Sequence, residues 1–395
     1  MMTVTIRWSA LLLSLLLMSG CSTVKGWFSI DDDEDPRRPV ELQKFEESVK
    51  VKRLWSTGVG NGQGDGLYRI EPVIGGERIF AASSDGEVKA LQRSNGRRIW
   101  SRDLKTLISG GVGFYGDSLF LGGGDGFVMR LDAATGETRW SSRVSGEVLA
   151  PPQGNGRVVV AQTYDGKLHG LDFDTGERLW TYDSNMPVLT IRGTSTPVFR
   201  DRLVLAGFAN GRVLGFDAGT GAVEWEARVA IPQGRSEIER IVDVDGTMVL
   251  AGSELFAASY QGNIVAIEAS SGRKLWERPV SSVSGLSQGF GNVYVADEDG
   301  TVFAFQRNGQ GQRWRQDALG WRGLGRPVTV SSYVAVPDFE GYIHILSQVD
   351  GSFVGRVRAD SKGVSADMLS EGNVLYVYGD GGKLYAYELS AKPGN

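Results

Sequence analysis

The sequence predicts an all-β protein, an eight-bladed β-propeller of four-stranded blades. The first observation is that the stretch Gly170–Trp180, GLDFDTGERLW, has close copies along nearly the whole chain. A repeat at a fixed period indicates a propeller, a solenoid or another array. The second is composition: 55 glycines, 10 tryptophans, 12 tyrosines and 16 phenylalanines indicate many tight turns between short strands with large side chains to bury.

The repeat unit is about forty residues long. One glycine opens the strand that precedes each copy of the turn, and these marker glycines are Gly86, Gly126, Gly166, Gly211, Gly262, Gly300, Gly341 and Gly382. The steps between them are 40, 40, 45, 51, 38, 41 and 41 residues. Each unit contains short β-rich runs joined by Asp-Gly and Thr-Gly turns, which predicts four antiparallel strands. This is the pattern of a propeller blade.

Both ends of the repeat array are incomplete in complementary ways. The eighth unit stops at Leu389 without its tryptophan strand, whereas Lys52–Trp55 is a tryptophan strand without a preceding unit. Pairing the two would complete the eighth blade and close the ring. Six tryptophans share one repeat position, so we expect each to pack between neighbouring blades; they are Trp100, Trp140, Trp180, Trp225, Trp276 and Trp314. Gly355 replaces the tryptophan in the seventh unit, with Phe353 nearby, and that interface should be packed differently.

The first residues predict export and lipid anchoring. Arg7 followed by the apolar run Ala10–Leu17 is typical of a signal peptide and too short to span a bilayer. Met18–Cys21 resembles the lipobox of bacterial lipoproteins, which implies that residues 1–20 are removed and that Cys21 carries the lipid. By the same resemblance, Ser22 favours sorting to the outer membrane. We expect 21–47 to be an acidic tether, 48–390 the propeller and 391–395 a tail.

Composition and motifs exclude several classes of function. The formal net charge is −5 with no basic run, so no nucleic-acid partner is expected. With a single cysteine the chain has no intramolecular disulfide. The only histidines, His169 and His344, occupy a repeat position that other blades fill mainly with apolar residues, so we interpret them as structural. No catalytic, cofactor-binding or metal site is predicted.

The Asp-x-x-Thr-Gly-x-x-x-Trp copies resemble the repeats of quinoprotein alcohol dehydrogenases, eight-bladed propellers that bind pyrroloquinoline quinone and calcium. In those enzymes a vicinal disulfide stacks on the quinone, and this chain has only Cys21. Nor does any concentrated set of calcium ligands stand out. The resemblance therefore implies the fold, and a periplasmic quinoprotein dehydrogenase is kept as an alternative function.

A lipobox followed by eight such repeats resembles the BamB family, lipoproteins of the machinery that assembles β-barrel proteins in the outer membrane. The resemblance implies a non-enzymatic scaffold, anchored in the outer membrane with its propeller in the periplasm. It also implies docking on the POTRA domains of BamA and assistance to the insertion of β-barrel proteins. A scaffold for another envelope complex is a further alternative. Pairing of unfolded barrel proteins with the inner strand edges is a weaker hypothesis, based on fold analogy.

The repeat spacing locates a candidate docking site independently of the resemblance. Three gaps exceed the usual 24 to 27 residues from a tryptophan to the next marker glycine. The gap of 31 after Trp55 contains the Gly-rich loop 58–66, which has no anchors and is assigned no partner. The other two are 31 after Trp180 and 37 after Trp225. The extra residues fall in Met186–Pro197 and Ile231–Gly246. Insertions at equivalent places in adjacent blades must emerge side by side on one face of the ring.

These two insertions supply the candidate partner-binding residues Leu189, Ile191, Arg192, Asp243 and Asp245. Apolar anchors beside an arginine are typical of protein interfaces. In the alternative interpretation the apolar pair faces inward and the loops are neutral insertions. In the BamB family the corresponding loop residues contact BamA, with Ile191 here in place of a leucine.

Overall fold

The computed structural model describes residues 37–66 and 68–393. The signal peptide, Cys21 and most of the tether lie outside these residues. The described part of the chain forms thirty-two β-strands and no helix. It accordingly has no helix that could cross a membrane.

The strands in chain order are β1 Val49–Gly58, β2 Val73–Gly75, β3 Arg78–Ala82, β4 Glu87–Gln92, β5 Arg98–Asp103, β6 Ile108–Tyr115, β7 Ser118–Gly123, β8 Phe127–Asp132, β9 Thr138–Arg143, β10 Gln153–Gly154, β11 Val158–Gln162, β12 Lys167–Asp172, β13 Arg178–Asp183, β14 Val198–Arg200, β15 Leu203–Phe208, β16 Arg212–Asp217, β17 Val223–Arg228, β18 Val249–Ala251, β19 Glu254–Ala258, β20 Asn263–Glu268, β21 Lys274–Pro279, β22 Leu286–Gly289, β23 Asn292–Ala296, β24 Val302–Gln306, β25 Gln312–Gln316, β26 Val328–Val330, β27 Tyr333–Pro337, β28 Tyr342–Ser347, β29 Phe353–Arg358, β30 Leu369–Glu371, β31 Val374–Tyr378 and β32 Lys383–Ala391.

These strands form eight four-stranded antiparallel sheets, which confirms the predicted eight-bladed propeller. Seven blades use four consecutive strands, beginning with β2 to β5. The eighth has the order β1-β32-β31-β30, so the N-terminal strand completes the last blade, as the incomplete ends predict. In an antiparallel blade the connection from the fourth strand to the next blade and the turn between the second and third strands share one face of the ring. We call this face the connection face.

A β-bulge recurs at the outer edge of every blade. Between the third and fourth strands of all eight blades the register shifts by one residue beside the tryptophan position, as at Gly170/Leu171 and, in the closing blade, at Arg53/Trp55. The closing strand β1 is therefore a regular fourth strand. Bulged residues are extra to the ladder and turn outward, which explains the 37–48 % exposure of Leu54, Ile99, Leu179 and Leu275.

The first strands of the blades surround the axis of the ring. Residues two or three positions before the first strands of six different blades line one cavity of about 50 Å³, and they are Glu71, Ala150, Thr196, Thr247, Ser284 and Asp367. Only a closed ring brings six such positions together. The cavity lies at the connection face, because the lining residues end the connections between blades.

The tryptophan at the repeat position of seven blades packs on the turn of the next blade. Six indole N–H groups donate to a backbone carbonyl of that turn over 2.9–3.1 Å, as Trp180 does to Ala218. The turn glycine lies against the indole face: a Cβ on Gly221 would be 2.5 Å from Trp180 Cδ2. Trp225 is the exception in the described residues, since it packs on Gly272 but its buried Nε1 has no hydrogen-bond partner.

The seventh blade has no tryptophan because the eighth has no turn to receive one. At the equivalent place of the eighth blade the two chain ends, β32 and β1, replace the Thr-Gly turn. Gly355 there faces the carbonyl of Val49, which would lie 3.3 Å from a Cβ. The predicted difference in packing at this interface is thus confirmed, and its cause is the position of the ring closure.

Residues 40–48 pack along the seventh blade. Val40 N–H donates to Gly320 O, and Arg322 and Arg356 donate to the carbonyls of Val40 and Gln43 over 3.0 and 2.9 Å. Phe45 stacks on Phe353 with ring centroids 5.4 Å apart. These contacts fix residues 40–48 against the ring, and the expected boundary between tether and propeller stays a prediction.

The contact between indole and glycine can be tested with a pair of glycine substitutions. Gly221 and Gly372 both have positive φ, 72° and 60°, but nothing lies within 4 Å of a Cβ on Gly372. We expect Gly372→Ala to cost ~1 kcal/mol from the left-handed backbone alone. Gly221→Ala should cost ~3 kcal/mol because the methyl group also displaces Trp180. Thermal or denaturant unfolding of both variants measures the difference, and equal losses would contradict the proposed contact.

Candidate functional site

The two insertions lie on neighbouring blades at the connection face. Met186–Pro197 links β13 to β14, and Ile231–Gly246 links β17 to β18. Both therefore join the fourth strand of one blade to the first strand of the next. Their backbones are in direct contact through the residues that the sequence singled out, which the structure brings together into one site.

Asp243 is the link between the insertions. Its side chain is 1 % exposed, and its Oδ2 accepts a hydrogen bond from the backbone N–H of Ile191. Val244 is fully buried, which fixes the segment to the ring. Asp243 is thus a support beneath the first insertion and not part of the exposed surface.

Asp245 packs against the same loop at Gly193. A Cβ on Gly193 would be 2.9 Å from Asp245 Oδ2, so the carboxyl packs directly on that backbone. Together, Asp243 at Ile191 and Asp245 at Gly193 hold the segment Ile191–Gly193 from beneath. The residue between the two contacts is Arg192.

Arg192 is held in an extended position over the connection face. Its guanidinium lies 2.9 Å from Glu147 Oε1. Its Cζ is 5.6 Å from the ring centroid of Tyr68 and 5.9 Å from that of Tyr164, within cation–π range. The guanidinium has five donors, and 36 % of the side chain remains exposed, so it can still bind a partner.

Sequence reasoning missed these three neighbours of Arg192. Tyr164 lies two residues before a marker glycine, where Tyr260 and Phe339 lie in other blades. An aromatic residue in an exposed turn of this kind is the signal that could have identified it. Tyr68 follows the Gly-rich loop of the lengthened junction after Trp55, to which the sequence assigned no partner. Glu147 belongs to a connection without a repeat signature.

Exposed apolar side chains are concentrated on the insertions. Sixteen large apolar side chains are exposed in the described part of the chain, and five of them belong to the 28 residues of the two insertions (12 and 16). They are Met186 37 %, Val188 82 %, Leu189 42 %, Ile231 56 % and Ile238 65 %. Ile191 is half-buried. Of the predicted apolar pair, Leu189 is therefore the more accessible anchor.

The carboxyl groups beneath the loop prefer to be protonated. Burial raises the pKa of Asp243 from 3.8 to about 7, although the hydrogen bond from Ile191 opposes the shift. Burial, and next the charge of Asp243, raise the pKa of Asp245 to about 8. Each has one buried oxygen without a hydrogen-bond partner in the described structure, Asp243 Oδ1 and Asp245 Oδ2. Ionisation of both would place two poorly solvated charges under the loop.

Both histidines are buried within their own blades. His169 is hydrogen-bonded to Ser145 Oγ and Thr181 Oγ1, each at 3.1 Å, and burial lowers its pKa to about 4. His344 contacts Asp338 Oδ2 at 3.0 Å and accepts from Arg356 Nε. Each is used by its local hydrogen bonds, in agreement with the structural role inferred from the repeat position.

A quinone and its calcium do not fit the axial site. The cavity of about 50 Å³ has room for only a few water molecules, whereas sites for organic cofactors have roughly 300–1,000 Å³. Three acidic residues line it, Glu71, Asp245 and Asp367. Glu71 and Asp367 face Arg69 and Arg326, and Arg326 already donates to Asp367 over 3.0 Å. Across residues 37–66 and 68–393 no three His, Cys, Asp or Glu side chains are grouped as metal ligands.

The raised pKa values predict how stability depends on pH. In the unfolded chain Asp245 titrates near its ordinary value of 3.8, and in the folded chain near 8. Folding therefore takes up a proton between these values, and the stability associated with it is lost as the pH rises through about 8. We compare the free energy of unfolding of Asp245→Asn with that of the parent protein at about pH 6 and at about pH 9. The difference should shift in favour of the variant by about 1 kcal/mol or more between pH 6 and pH 9.

Thermal unfolding at the two pH values measures this difference. Asp217→Asn is the control, because hydrogen bonds, first from the Thr220 hydroxyl, lower the pKa of Asp217. That carboxylate is ionised at both pH values, so its replacement should have the same effect at each. A pH-independent effect of Asp245→Asn would contradict the burial of a protonated carboxyl.

Comparisons with known proteins agree with the fold and the repeat pattern. The family profile "Outer membrane protein assembly factor BamB" matches residues 84–316. A relative with that name from Pseudomonas aeruginosa is 47 % identical over 386 residues, which cover 97 % of this chain and 100 % of the relative.

Two solved structures resemble this fold at different levels of sequence identity. The crystal structure of BamB from Moraxella catarrhalis superposes with a TM-score of 0.79 at 30 % identity, over 86 % of this chain and all of that one. A quinohemoprotein alcohol dehydrogenase from Comamonas testosteroni reaches a TM-score of 0.68 at 14 % identity, over 87 % of this chain and 76 % of the enzyme. The second likeness shows a common fold alone.

The relative from Pseudomonas aeruginosa matches over nearly its whole length and is named an assembly factor. The solved structure of a BamB protein superposes on this fold. The chain belongs to the BamB family of outer membrane protein assembly factors, which are non-enzymatic.

Proposed function

We propose that this chain is a scaffold lipoprotein that docks on the periplasmic POTRA domains of BamA and thereby assists the insertion of β-barrel proteins. The observation that carries the proposal is the supported arginine at the junction of the two insertions. Arg192 is presented between two fixed backbone contacts, beside the exposed Leu189. An arginine next to an apolar anchor on a preorganised loop is the composition of an interface hot spot.

In this proposal the five residues from the sequence have two different roles. Leu189 and Arg192 contact BamA directly, and Ile191 contributes its partly exposed side. Asp243 and Asp245 act from beneath by holding the backbone at Ile191 and Gly193. A preorganised loop loses less conformational entropy on binding than a flexible one, so both carboxyls contribute to affinity without touching the partner.

We further propose that Cys21 is the lipid-modified residue and that the chain is held at the outer membrane with its ring in the periplasm. The support is the sequence resemblance of Met18–Cys21 to a lipobox. The tether would then end near Pro39, since Val40 is hydrogen-bonded to Gly320 and Arg322. About eighteen residues lie between the lipid and this point, and an extended chain spans roughly 3.3–3.6 Å per residue.

The quinoprotein alternative has no observation in its favour beyond the common fold. Direct pairing with unfolded barrel proteins is also weakly supported, because most first strands have only two or three residues, as in β10 and β14. We therefore confine the proposal to BamA.

The docking site is tested by charge substitutions in the first insertion. We expect Leu189→Asp and Arg192→Glu to lower the recovery of BamA with the tagged chain from solubilised envelopes by at least about tenfold, as for hot-spot residues. Val349→Asp is the matched control, since Val349 is 64 % exposed in the turn between β28 and β29, on the face opposite the connection face. Unchanged recovery with both site variants would remove the assignment. Recovery of a different envelope complex would favour the alternative scaffold.

The supporting role of the carboxyls makes a separate prediction. Asp243→Ala with Asp245→Ala should abolish recovery of BamA while the ring stays folded, because the Ile191 N–H loses its acceptor. Asp243→Asn should retain binding, since an amide oxygen can accept the same hydrogen bond. Loss of binding in Asp243→Asn, with normal folding by circular dichroism, would show that an acceptor at this position is not sufficient and would contradict the supporting role given to Asp243.

A further inference from the structure

The exposed part of the second insertion is a turn that the sequence did not identify. Asp243 is buried, so the carboxyl groups do not form the outer surface of this insertion. Its most exposed apolar residue is Ile238, at 65 %, in the turn Arg235–Arg240. The leucines exposed on the fourth strands lie at β-bulges, whereas Ile238 is not in a strand, so no bulge explains its exposure.

The turn is ordered by its own hydrogen bonds. Glu239 Oε2 accepts from the backbone N–H groups of Arg235 and Ser236, at 2.6 and 3.1 Å, and Glu239 N–H donates to Ser236 Oγ. This reciprocal pattern is that of a capping box, which fixes the first turn of a helix. Gly234 has a φ of 115°, and a Cβ there would lie 2.4 Å from Glu239 Cβ. The chain thus needs glycine before the turn.

One turn of the fifth blade, Tyr260–Gln261, is hydrogen-bonded both to Ile238 and to Asp243, which supports the loop of Arg192. Gln261 Nε2 donates to Ile238 O over 3.1 Å. The preceding residue, Tyr260, donates its N–H to Asp243 O over 2.9 Å. Gln261 N–H is itself fixed by Ser281 Oγ at 2.8 Å. One rigid turn therefore connects Ile238 to the segment that presents Arg192.

The surface around Ile238 has the composition of a contact patch. Ile231, 56 % exposed, lines a surface depression together with Glu239 and Gln261. Arg235, Glu237 and Arg240 are charged and exposed around it. An apolar centre with a polar rim is the usual anatomy of a protein interface, and an ordered position avoids the entropic cost of fixing a loop.

We infer that Ile238 is a second apolar anchor for the partner that docks on Leu189 and Arg192. The inference rests on the proposed function, because the partner that contacts Ile238 is the same BamA domain that contacts Leu189 and Arg192. One partner can contact both insertions because the Tyr260–Gln261 turn fixes them relative to each other. A rigid domain bound to the first insertion therefore extends onto the second. The complementary surface on the partner is apolar at its centre, with charged groups around it.

The test measures binding of the purified chain, from Cys21 onward without lipid, to the purified periplasmic part of BamA by calorimetry. Ile238→Asp should weaken binding about tenfold, and Ile238→Leu should leave it within about twofold. Val349→Asp is the matched control. Val349 is 64 % exposed in the turn between β28 and β29, which lies on the face opposite the connection face, and its replacement should have no effect.

The outcomes separate this inference from the proposed function. If Leu189→Asp abolishes binding while Ile238→Asp binds as the parent does, the second anchor is refuted and the docking site stands. If neither substitution changes the affinity, both assignments are wrong. If the parent chain does not bind BamA, the proposed partner is wrong. An equal loss in Val349→Asp would show that the effect of charge is not local, which also refutes the anchor.

Discussion

The contact on which the rest of the structure depends is the packing of an indole on a turn of the next blade. The Trp180 N–H donates to Ala218, and Gly221 lies against the ring face. Because each contact joins a fourth strand to the turn of its neighbour, the ring is a chain of nearest-neighbour interfaces. At the one interface where the receiving turn is replaced by the chain ends, the tryptophan is replaced by Gly355, and Phe45 stacks on Phe353 nearby. The sequence exception and the ring closure therefore have one cause.

This constraint also decides where additional residues can be accommodated. The turn between the third and fourth strands must keep its shape to receive an indole, whereas the connection between blades has no such partner. The two long insertions follow Trp180 and Trp225 and emerge on the connection face. There Asp243 and Asp245 fix the first insertion from beneath, and Tyr260–Gln261 fixes the second. The ring thus converts two irregular segments into one ordered surface, which we propose as the docking site.

The fold could be predicted almost completely from sequence because its signal repeats eight times. The blade count, the closure by β1 and the unusual seventh interface all follow from the period and its exceptions. The site was predicted only in part. Departures from the period located both insertions. Asp243 is buried and Leu189 is exposed, so they have different roles. No local sequence pattern predicts which residues of an irregular loop are buried. Glu147 meets Arg192 across 45 residues, and the exposure of Ile238 depends on a turn whose capping residues are common in any polar loop. Such contacts are set by tertiary structure.

The docking surface is tested most directly by photo-crosslinking in intact cells. A photoreactive residue in place of Val188, which is 82 % exposed on the first insertion, would report what lies against this surface without any loss of affinity to interpret. The same residue in place of Val349 samples the opposite face. We predict a crosslinked product with BamA from position 188 and none from position 349. A product with BamA from position 349 but not from 188 would contradict the proposed docking surface.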